Sequence, residues 1–456
     1  MNIKAKSVRA AAVFLAVLML LTSLMGCGAA PAPASEALSE SRSESQSQLP
    51  VSTEPAVAEQ WAEKMNLRKM ESVSYTMLSD SFDERFLAYL SEHAEGNYMA
   101  SPLSFRYALG LLLAGANGET KAELLHALGV ESEEEWIESC LNFNGFAEFF
   151  ASDLERERKE FQEGQKQGWI PADAAEPFRA LRVANSVWKA ERIGDEFTEA
   201  YKESVEKNYA AEYRSFTAEN AVKKINEWAE IKTEHMIKQL LPEDYPTEMM
   251  AVVLMNALYF KDSWCFSFPE LLTKEGVFHA QDGRKTRKEF MSEENDFSYY
   301  ADEETELVII PMKGGVNMAF VLGSTENLEA KIAKAVPEKV QVTIPKMDLE
   351  TDFSSGELVA FLKEYGVSLA FDEDKADFSA MIDHFVYVSD IIQKTRIKLD
   401  EEGVEAAAVT AIVMEDKALP LPKEPVIFTA DRPFSFYIYA TCNDTTAMMF
   451  AGEIVE

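Results

Sequence analysis

The sequence predicts an α+β fold, in which helices pack around sheets without alternating regularly with single strands. Strand-like patterns dominate after Val183, and helical patterns interrupt them at irregular intervals. No internal repeat is present. With 47% hydrophobic and 11% aromatic residues over 456 positions, the chain can bury a sizeable core. At this length the chain could hold two average domains or one large one.

The first 26 residues are predicted to be a signal peptide. Three basic residues precede an apolar run, residues 10–21, that is too short to span a bilayer comfortably. The sequence Leu24-Met-Gly-Cys27 is similar to a bacterial lipoprotein signal, in which the cysteine is lipidated and becomes the new N-terminus. A plain cleaved signal and an uncleaved anchor are the alternatives. All three export the chain, and lipidation of Cys27 would hold the domain on the outer surface of the cell membrane.

Residues 27–72 are predicted to be a disordered stalk, because residues 28–58 hold Ala, Pro, Ser, Glu and Gln with almost no large apolar side chain. The folded domain then covers residues 73–456. Helical spacing begins near Ser81, and the acidic residues 133–182 suggest a solvated helix plus a loop. Further helices are predicted at 103–114, 120–128, 219–233, 326–335 and 355–365, and strands at 251–260, 307–311, 317–322, 339–344 and 434–441.

Charge and residue usage exclude several classes of function. A formal net charge of −34 disfavours binding to nucleic acid or to anionic lipid, and favours basic partners. The five histidines show no metal-ligand spacing, and no Walker loop, dinucleotide fingerprint or nucleophile elbow occurs. With Cys27 lipidated, three irregularly spaced cysteines remain, which suggests neither a disulfide framework nor a metal site. The sequence therefore predicts no enzyme, no cofactor and no metal.

The segment 401–413 carries the strongest functional signal. Val404 and every second residue after it as far as Met414 are small or apolar, as one buried face of a strand requires. The segment nevertheless follows a glycine and runs into a proline-rich loop. An Ala-rich helix is the alternative, weakened by Gly403 and by the β-branched residues. A strand-like segment in a loop can be inserted into a sheet later.

Motifs spread along the chain connect this segment to a known family. In chain order they are Asn97-Tyr-Met-Ala-Ser-Pro-Leu-Ser104, Gly115-Ala-Asn-Gly-Glu-Thr120, Ala184-Asn-Ser-Val-Trp188, Ile225-Asn-Glu-Trp228, Asn256-Ala-Leu-Tyr-Phe-Lys261 with Trp264, Ile344-Pro-Lys346, Gly366-Val367, Ala376-Asp-Phe-Ser379, Asp431-Arg432-Pro433-Phe434 and Phe450-Ala451-Gly452. Together with the hinge at 401–410, this series resembles the serpin family. The resemblance implies a serpin fold, with helices around a large mixed sheet and smaller sheets, and an exposed reactive loop.

The resemblance also assigns roles to residues. The loop hinge comprises Glu401, Glu402, Gly403, Val404, Glu405, Ala406, Ala407, Ala408, Val409 and Thr410. The bond that a protease attacks usually lies fourteen residues beyond the hinge glycine, which is Lys417-Ala418 here. The loop is longer than is typical, so Lys423 or Leu421 takes that role if the extra residues precede the bond. A lysine would suit a trypsin-like protease.

The implied mechanism is that of a suicide substrate. The protease cleaves the bond and forms an acyl-enzyme. The freed loop then enters the main sheet as a new strand of about fourteen residues, which carries the attached protease about 45 Å along the sheet. Ser101, Ser104 and Asn226 match positions where the sheet must part, and Gln393 stands there in place of a usual histidine. The resemblance implies that the partners are serine proteases and that the chain is a monomer. A non-inhibitory binding or chaperone role is the alternative. A solute-capturing lipoprotein is disfavoured, because its two-lobed parallel-sheet pattern is not seen.

Overall fold

The computed structural model describes residues 82–172, 174, 176–248, 250–353, 356–404, 424–442 and 445–456. The predicted signal peptide, the stalk and Cys27 lie outside these ranges, as do Glu405 to Thr410 of the hinge and the Lys417-Ala418 bond. The part of the chain that the structure describes has the predicted α+β architecture. None of its helices is long and apolar enough to cross a membrane.

Eight α-helices occur within the described ranges. They are α1 Phe82–His93, α2 Pro102–Leu113, α3 Gly118–Leu128, α4 Glu133–Gln167, α5 Glu199–Tyr209, α6 Ala221–Lys232, α7 Leu328–Lys334 and α8 Glu357–Tyr365. The acidic region predicted as helix plus loop is largely one helix of 35 residues, α4. Ser132 caps its first turn by accepting a hydrogen bond from the Glu135 amide, and Gly168 ends it in a left-handed conformation.

The strands form two sheets. In chain order they are β1 Tyr98–Ala100, β2 Ala180–Ala190, β3 Glu212–Phe216, β4 Val252–Ser263, β5 Lys274–His279, β6 Lys285–Ala301, β7 Thr305–Pro311, β8 Val316–Gly323, β9 Val336–Pro345, β10 Met347–Phe353, β11 Val388–Asp400, β12 Gly403–Val404, β13 Val426–Thr429, β14 Phe434–Cys442 and β15 Thr445–Ile454. One sheet has six strands in the order β10-β11-β12-β4-β2-β3. The other has nine, in the order β1-β15-β14-β8-β7-β6-β9-β13 with β5 beside β6.

Helix α2 links the two sheets through the core. All twelve of its residues are buried, and it packs against β4 and β2 of the six-stranded sheet and against β15 of the other. Even its Arg106 is enclosed, where it forms an ion pair of 2.8 Å with Asp83 of α1. Ser101 caps the start of α2. Its amide also donates a hydrogen bond to Gln393, which holds that end of the helix against β11 of the six-stranded sheet.

Candidate functional site: the loop hinge and the fork in the six-stranded sheet

The two residues of β12 lie between β11 and β4. Val404 pairs with Leu399 on one side and with Asp262 on the other, and both ladders are antiparallel. Gly403 pairs with Asp400 and with Ser263 in the same way. The start of the hinge is therefore already a short central strand of the sheet.

Gly403 has a backbone conformation that favours glycine, with φ at +149°. A β-carbon at this position would lie 2.2 Å from the carbonyl oxygen of Asp262 and 2.6 Å from Cα of Ser263. Both neighbours are backbone atoms of β4, which cannot move aside without disturbing the ladder. The hinge glycine is thus required by the close approach of β12 to β4.

Glu401 anchors the turn between β11 and β12. It is 7% exposed, and its carboxylate accepts hydrogen bonds from Lys346 Nζ at 2.8 Å and from Thr273 Oγ1 at 2.7 Å. Burial alone would raise the pKa of Glu401, but these two hydrogen bonds, a backbone hydrogen bond and the charge of Lys346 together lower the pKa below its ordinary value. The backbone carbonyl of Glu401 also accepts a hydrogen bond from the amide of Phe268 at 2.8 Å.

Trp264 fixes the same turn from the other side. Its amide donates to the carbonyl of Glu402 at 2.9 Å, and its indole Nε1 donates to the carbonyl of Asp400 at 3.0 Å. The side chain is 1% exposed, so both bonds lie inside the protein. The turn is therefore held by side chains and backbone groups from several elements.

Beyond β12 the sheet forks. At the far end β11 and β4 pair directly and in parallel, from Val388 with Val252 to Gln393 with Asn256. Between that zone and β12, the described ladders contain no pair joining residues 394–398 to residues 257–261. The fork is therefore five residues deep on each side.

The closed end of the fork is tethered to the start of α2. The amide of Ser101 donates to Gln393 Oε1 at 2.9 Å, and Gln393 Nε2 donates back to the Ser101 carbonyl at 3.0 Å. Ser104 Oγ donates to Asn256 Oδ1, and Asn256 in turn donates to Asn185 of β2. One helix end thus holds the two strands that pair at the base of the fork.

The serpin family model, described as serpin (serine protease inhibitor), matches residues 79–456. The chain belongs to the serpin family. Serpins are protease inhibitors rather than enzymes, and family membership supports serine protease inhibition as the general function and serine proteases as the general partners. The serpin α+β fold expected from the resemblance is confirmed, whereas residues 405–423 of the expected reactive loop lie outside the described residues.

Relatives of this serpin come from distant organisms. Human serpin B8 is 30% identical over 379 residues, which are 78% of this chain and 92% of the relative. An uncharacterised serpin-like protein of Methanosarcina acetivorans is 32% identical over 296 residues, 60% of this chain and 67% of the relative. Among solved structures, the thermophilic serpin tengpin in its native state has a TM-score of 0.65 and 25% identity, covering 86% of this chain and 98% of that one.

The structure brings together some of the residues singled out from the serpin motifs. Ser101, Ser104 and Gln393 share one network at the base of the fork. Asn226 lies elsewhere, on α6, where its side chain holds the backbone of Leu240 and Leu241. No hydrogen bond found in the described ranges joins it to the other three.

Two residues that contact the predicted site residues were not themselves predicted to belong to the site. Asn256, which contacts Ser104, opens a motif that was recognised, and Lys346, which binds Glu401, closes another. The motifs mark both residues, but their partners lie 152 and 55 positions away along the chain. Asp262, directly opposite Val404, follows the Asn256–Lys261 motif immediately but is not part of it.

Proposed function

We propose that this serpin is an exported suicide-substrate inhibitor, anchored to the outer surface of the cell membrane through Cys27, that traps trypsin-like serine proteases after cleavage at Lys417-Ala418. The predicted signal peptide, the stalk of residues 27–72 and the domain of residues 73–456 belong to this proposal. The observation that carries it is the hinge, which is docked at the open end of a fork that has room for the first five residues that follow.

The register of β12 predicts the partners of an inserted loop. If both antiparallel ladders continue, residues 405–409 pair with 398–394 on β11 and with 261–257 on β4. These are the strand residues that have no partner across the fork. The first five loop residues would therefore form ladder bonds without breaking any that now join β11 to β4.

The same register places Val404 and every second residue after it on the buried face of the sheet. Val404 lies on a face shared with Leu399 and Asp262, and all three are buried. Residues 406, 408, 410, 412 and 414 would follow on that face, and in this chain they are small or apolar. Glu405 would lie on the other face, between Lys261 and Lys398. No inward position of the segment would bury a charge, so the sequence is suited to insertion.

The test mixes the soluble domain, residues 73–456, with trypsin at increasing molar ratios. We expect a covalent complex that survives boiling in detergent, because insertion would distort the protease before the acyl-enzyme is hydrolysed. Clipped chain without a complex would instead favour the alternative, a non-inhibitory binding or chaperone role. N-terminal sequencing of the released fragment locates the bond and decides between Lys417, Leu421 and Lys423.

Two matched variants isolate the insertion step. In the continued register, Ala406→Arg places a charge on the inward face opposite Ile397 and Phe260, which offer it no partner, and is expected to convert the inhibitor into a substrate. Ala407→Arg places the same charge on the outward face and should leave the yield of complex nearly unchanged. Equal yields from both variants would contradict insertion in this register. Loss of the reaction with trypsin in Lys417→Ala would support the assigned bond.

The anchor is tested separately. The full-length chain should partition into the membrane fraction and carry a lipid on Cys27, whereas the Cys27→Ser variant should do neither. Retention of the variant in membranes would favour an uncleaved signal segment as the anchor.

A further inference from the structure

A carboxyl group is buried beside the docked hinge. Asp262 is 1% exposed and lies opposite Val404 in the ladder between β4 and β12. Its Oδ2 accepts a hydrogen bond from the Gly314 amide at 2.8 Å, and its Oδ1 accepts one from the Ser263 amide at 2.9 Å. No lysine or arginine of the described ranges lies within 4 Å of this carboxylate. Burying a charge with so little compensation is unfavourable.

The charged groups around Asp262 compensate for it only weakly. Lys313, in the turn between β7 and β8, and Arg179, just before β2, face it and favour its ionised form. Arg179 is itself neutralised, because it forms ion pairs with Asp153 and Glu157 of α4 and lies over the ring of Phe150. The turn between β11 and β12 contributes the acidic residues Asp400, Glu401 and Glu402, whereas Lys261 and Lys398 precede Asp262 and Leu399 and belong to the opposite face of the sheet.

We propose that Asp262 is a positioning residue whose protonation holds Gly403–Val404 in the sheet, so that loss of this proton drives the hinge out and links the start of loop insertion to pH. The link between pH and loop insertion rests on the proposed inhibitory function. The docking of the hinge itself does not.

The direction of the effect follows from proton linkage. Desolvation is the largest cause, and it raises the pKa of Asp262 to about 7 in the docked structure, from an ordinary value of 3.8. Departure of Gly403 and Val404 would open the edge of β4 to water and return the pKa towards that ordinary value. The docked state therefore binds the proton more tightly. Between pH 4 and 7, each unit of increase weakens docking by up to about tenfold, and above pH 7 the effect levels off.

Hydrogen exchange of two backbone amides reports docking without any protease. The amides of Trp264 and Phe268 donate to the carbonyls of Glu402 and Glu401, so their protection depends on the hinge. In the soluble domain, we expect the exchange rate, corrected for the intrinsic effect of pH, to rise by about tenfold or more between pH 5.5 and 7. A wild-type change smaller than about twofold over this range would overturn the proposal.

Three variants make the test specific. Asp262→Asn keeps the shape of the side chain, and Asp262→Gly removes it without leaving a polar group; in both, the corrected rates should be independent of pH. Asp390→Asn is the control. It removes another carboxyl with a raised pKa, which lies on β11 at the closed end of the fork and accepts a hydrogen bond from Tyr245. This variant should keep the wild-type dependence of exchange on pH. A wild-type profile in both Asp262 variants would also overturn the proposal.

Inhibition provides a second readout. The measured quantity is the number of serpin molecules consumed per trypsin molecule, and the wild-type value is divided by the value for Asp262→Gly at the same pH. This ratio should be lower at pH 6 than at pH 8, because the hinge is docked more firmly at the lower pH. A flat ratio, despite a covalent complex, would refute the link to insertion. If no complex forms at any pH while the exchange profile is as expected, the inhibitory function fails and proton-linked docking of the hinge stands.

Discussion

The contact between Lys346 and Glu401 makes a quantitative prediction about the hinge. Replacing Lys346 by Met leaves a carboxylate that is 7% exposed with Thr273 as its remaining side-chain donor. Removing one partner of a buried pair costs ~3–5 kcal/mol, but the lysine side chain is 31% exposed and water screens the pair. We therefore expect Lys346→Met to lower the free energy of unfolding by about 2 kcal/mol, or the melting temperature by about 2.5 °C.

The effect should depend on pH in a defined direction. The pKa of Glu401 is lowered in the folded protein, so its interactions stabilise the fold above its ordinary value of 4.5 and are lost as the pH falls through the lowered value. Thermal unfolding of wild type and Lys346→Met should therefore differ most near pH 7. The difference should shrink as the pH falls below 4.5.

A double-mutant cycle with Glu401→Gln separates this pair from other effects of substitution. Lys339→Met is the matched control, because its ion pair with Glu294 has the same length of 2.8 Å but is exposed on both sides. The control should show no measurable shift. A coupling energy below about 0.3 kcal/mol between Lys346 and Glu401 would refute the idea that this contact anchors the hinge.

Three other predictions concern the fork. Gly403→Ala should expel the hinge and raise exchange of the Trp264 amide by about tenfold, because strain of 1–3 kcal/mol opposes docking; unchanged exchange would contradict the close approach. Gln393→Ala should lower unfolding free energy by ~2 kcal/mol through the loss of two hydrogen bonds, measured by thermal unfolding. Glu405→Lys would place a third cation between Lys261 and Lys398, so calorimetry of the clipped protein should show a lower melting temperature, while the intact protein changes little.

Several elements were predictable because their patterns are local. The strand predicted at 251–260 is β4, and that at 434–441 is β14, each to within three residues. Helix α5 escaped prediction. Its buried residues are Tyr201, Val205 and Tyr209, a stripe one residue wide in an otherwise charged segment. Such a helix is stabilised by its packing, which a window of sequence does not contain.

The fork was beyond prediction for a different reason. Its depth depends on the register of β4 against β11, and these strands lie more than 120 residues apart along the chain. A shift of the register by one residue would move every inward side chain of a strand to the outer face of the sheet. Neither strand alone determines the register. The hinge motif predicts which segment would insert, whereas the two ladders of β12 predict the register that this segment would take.

The fork also indicates where loop insertion meets its barrier. Residues 405–409 would enter a space whose edges have no described partner across it, so each new ladder bond adds about 1 kcal/mol with little to oppose it. Thr410 is the first residue that would have to separate an existing pair, Gln393 with Asn256, and both are tied to the start of α2. One parallel interface would then be exchanged for two antiparallel ones, a net gain that is reached only after these ties break. We therefore expect the barrier to insertion at Thr410, and substitutions at Gln393 should change the rate of insertion more than the stability of the inserted product.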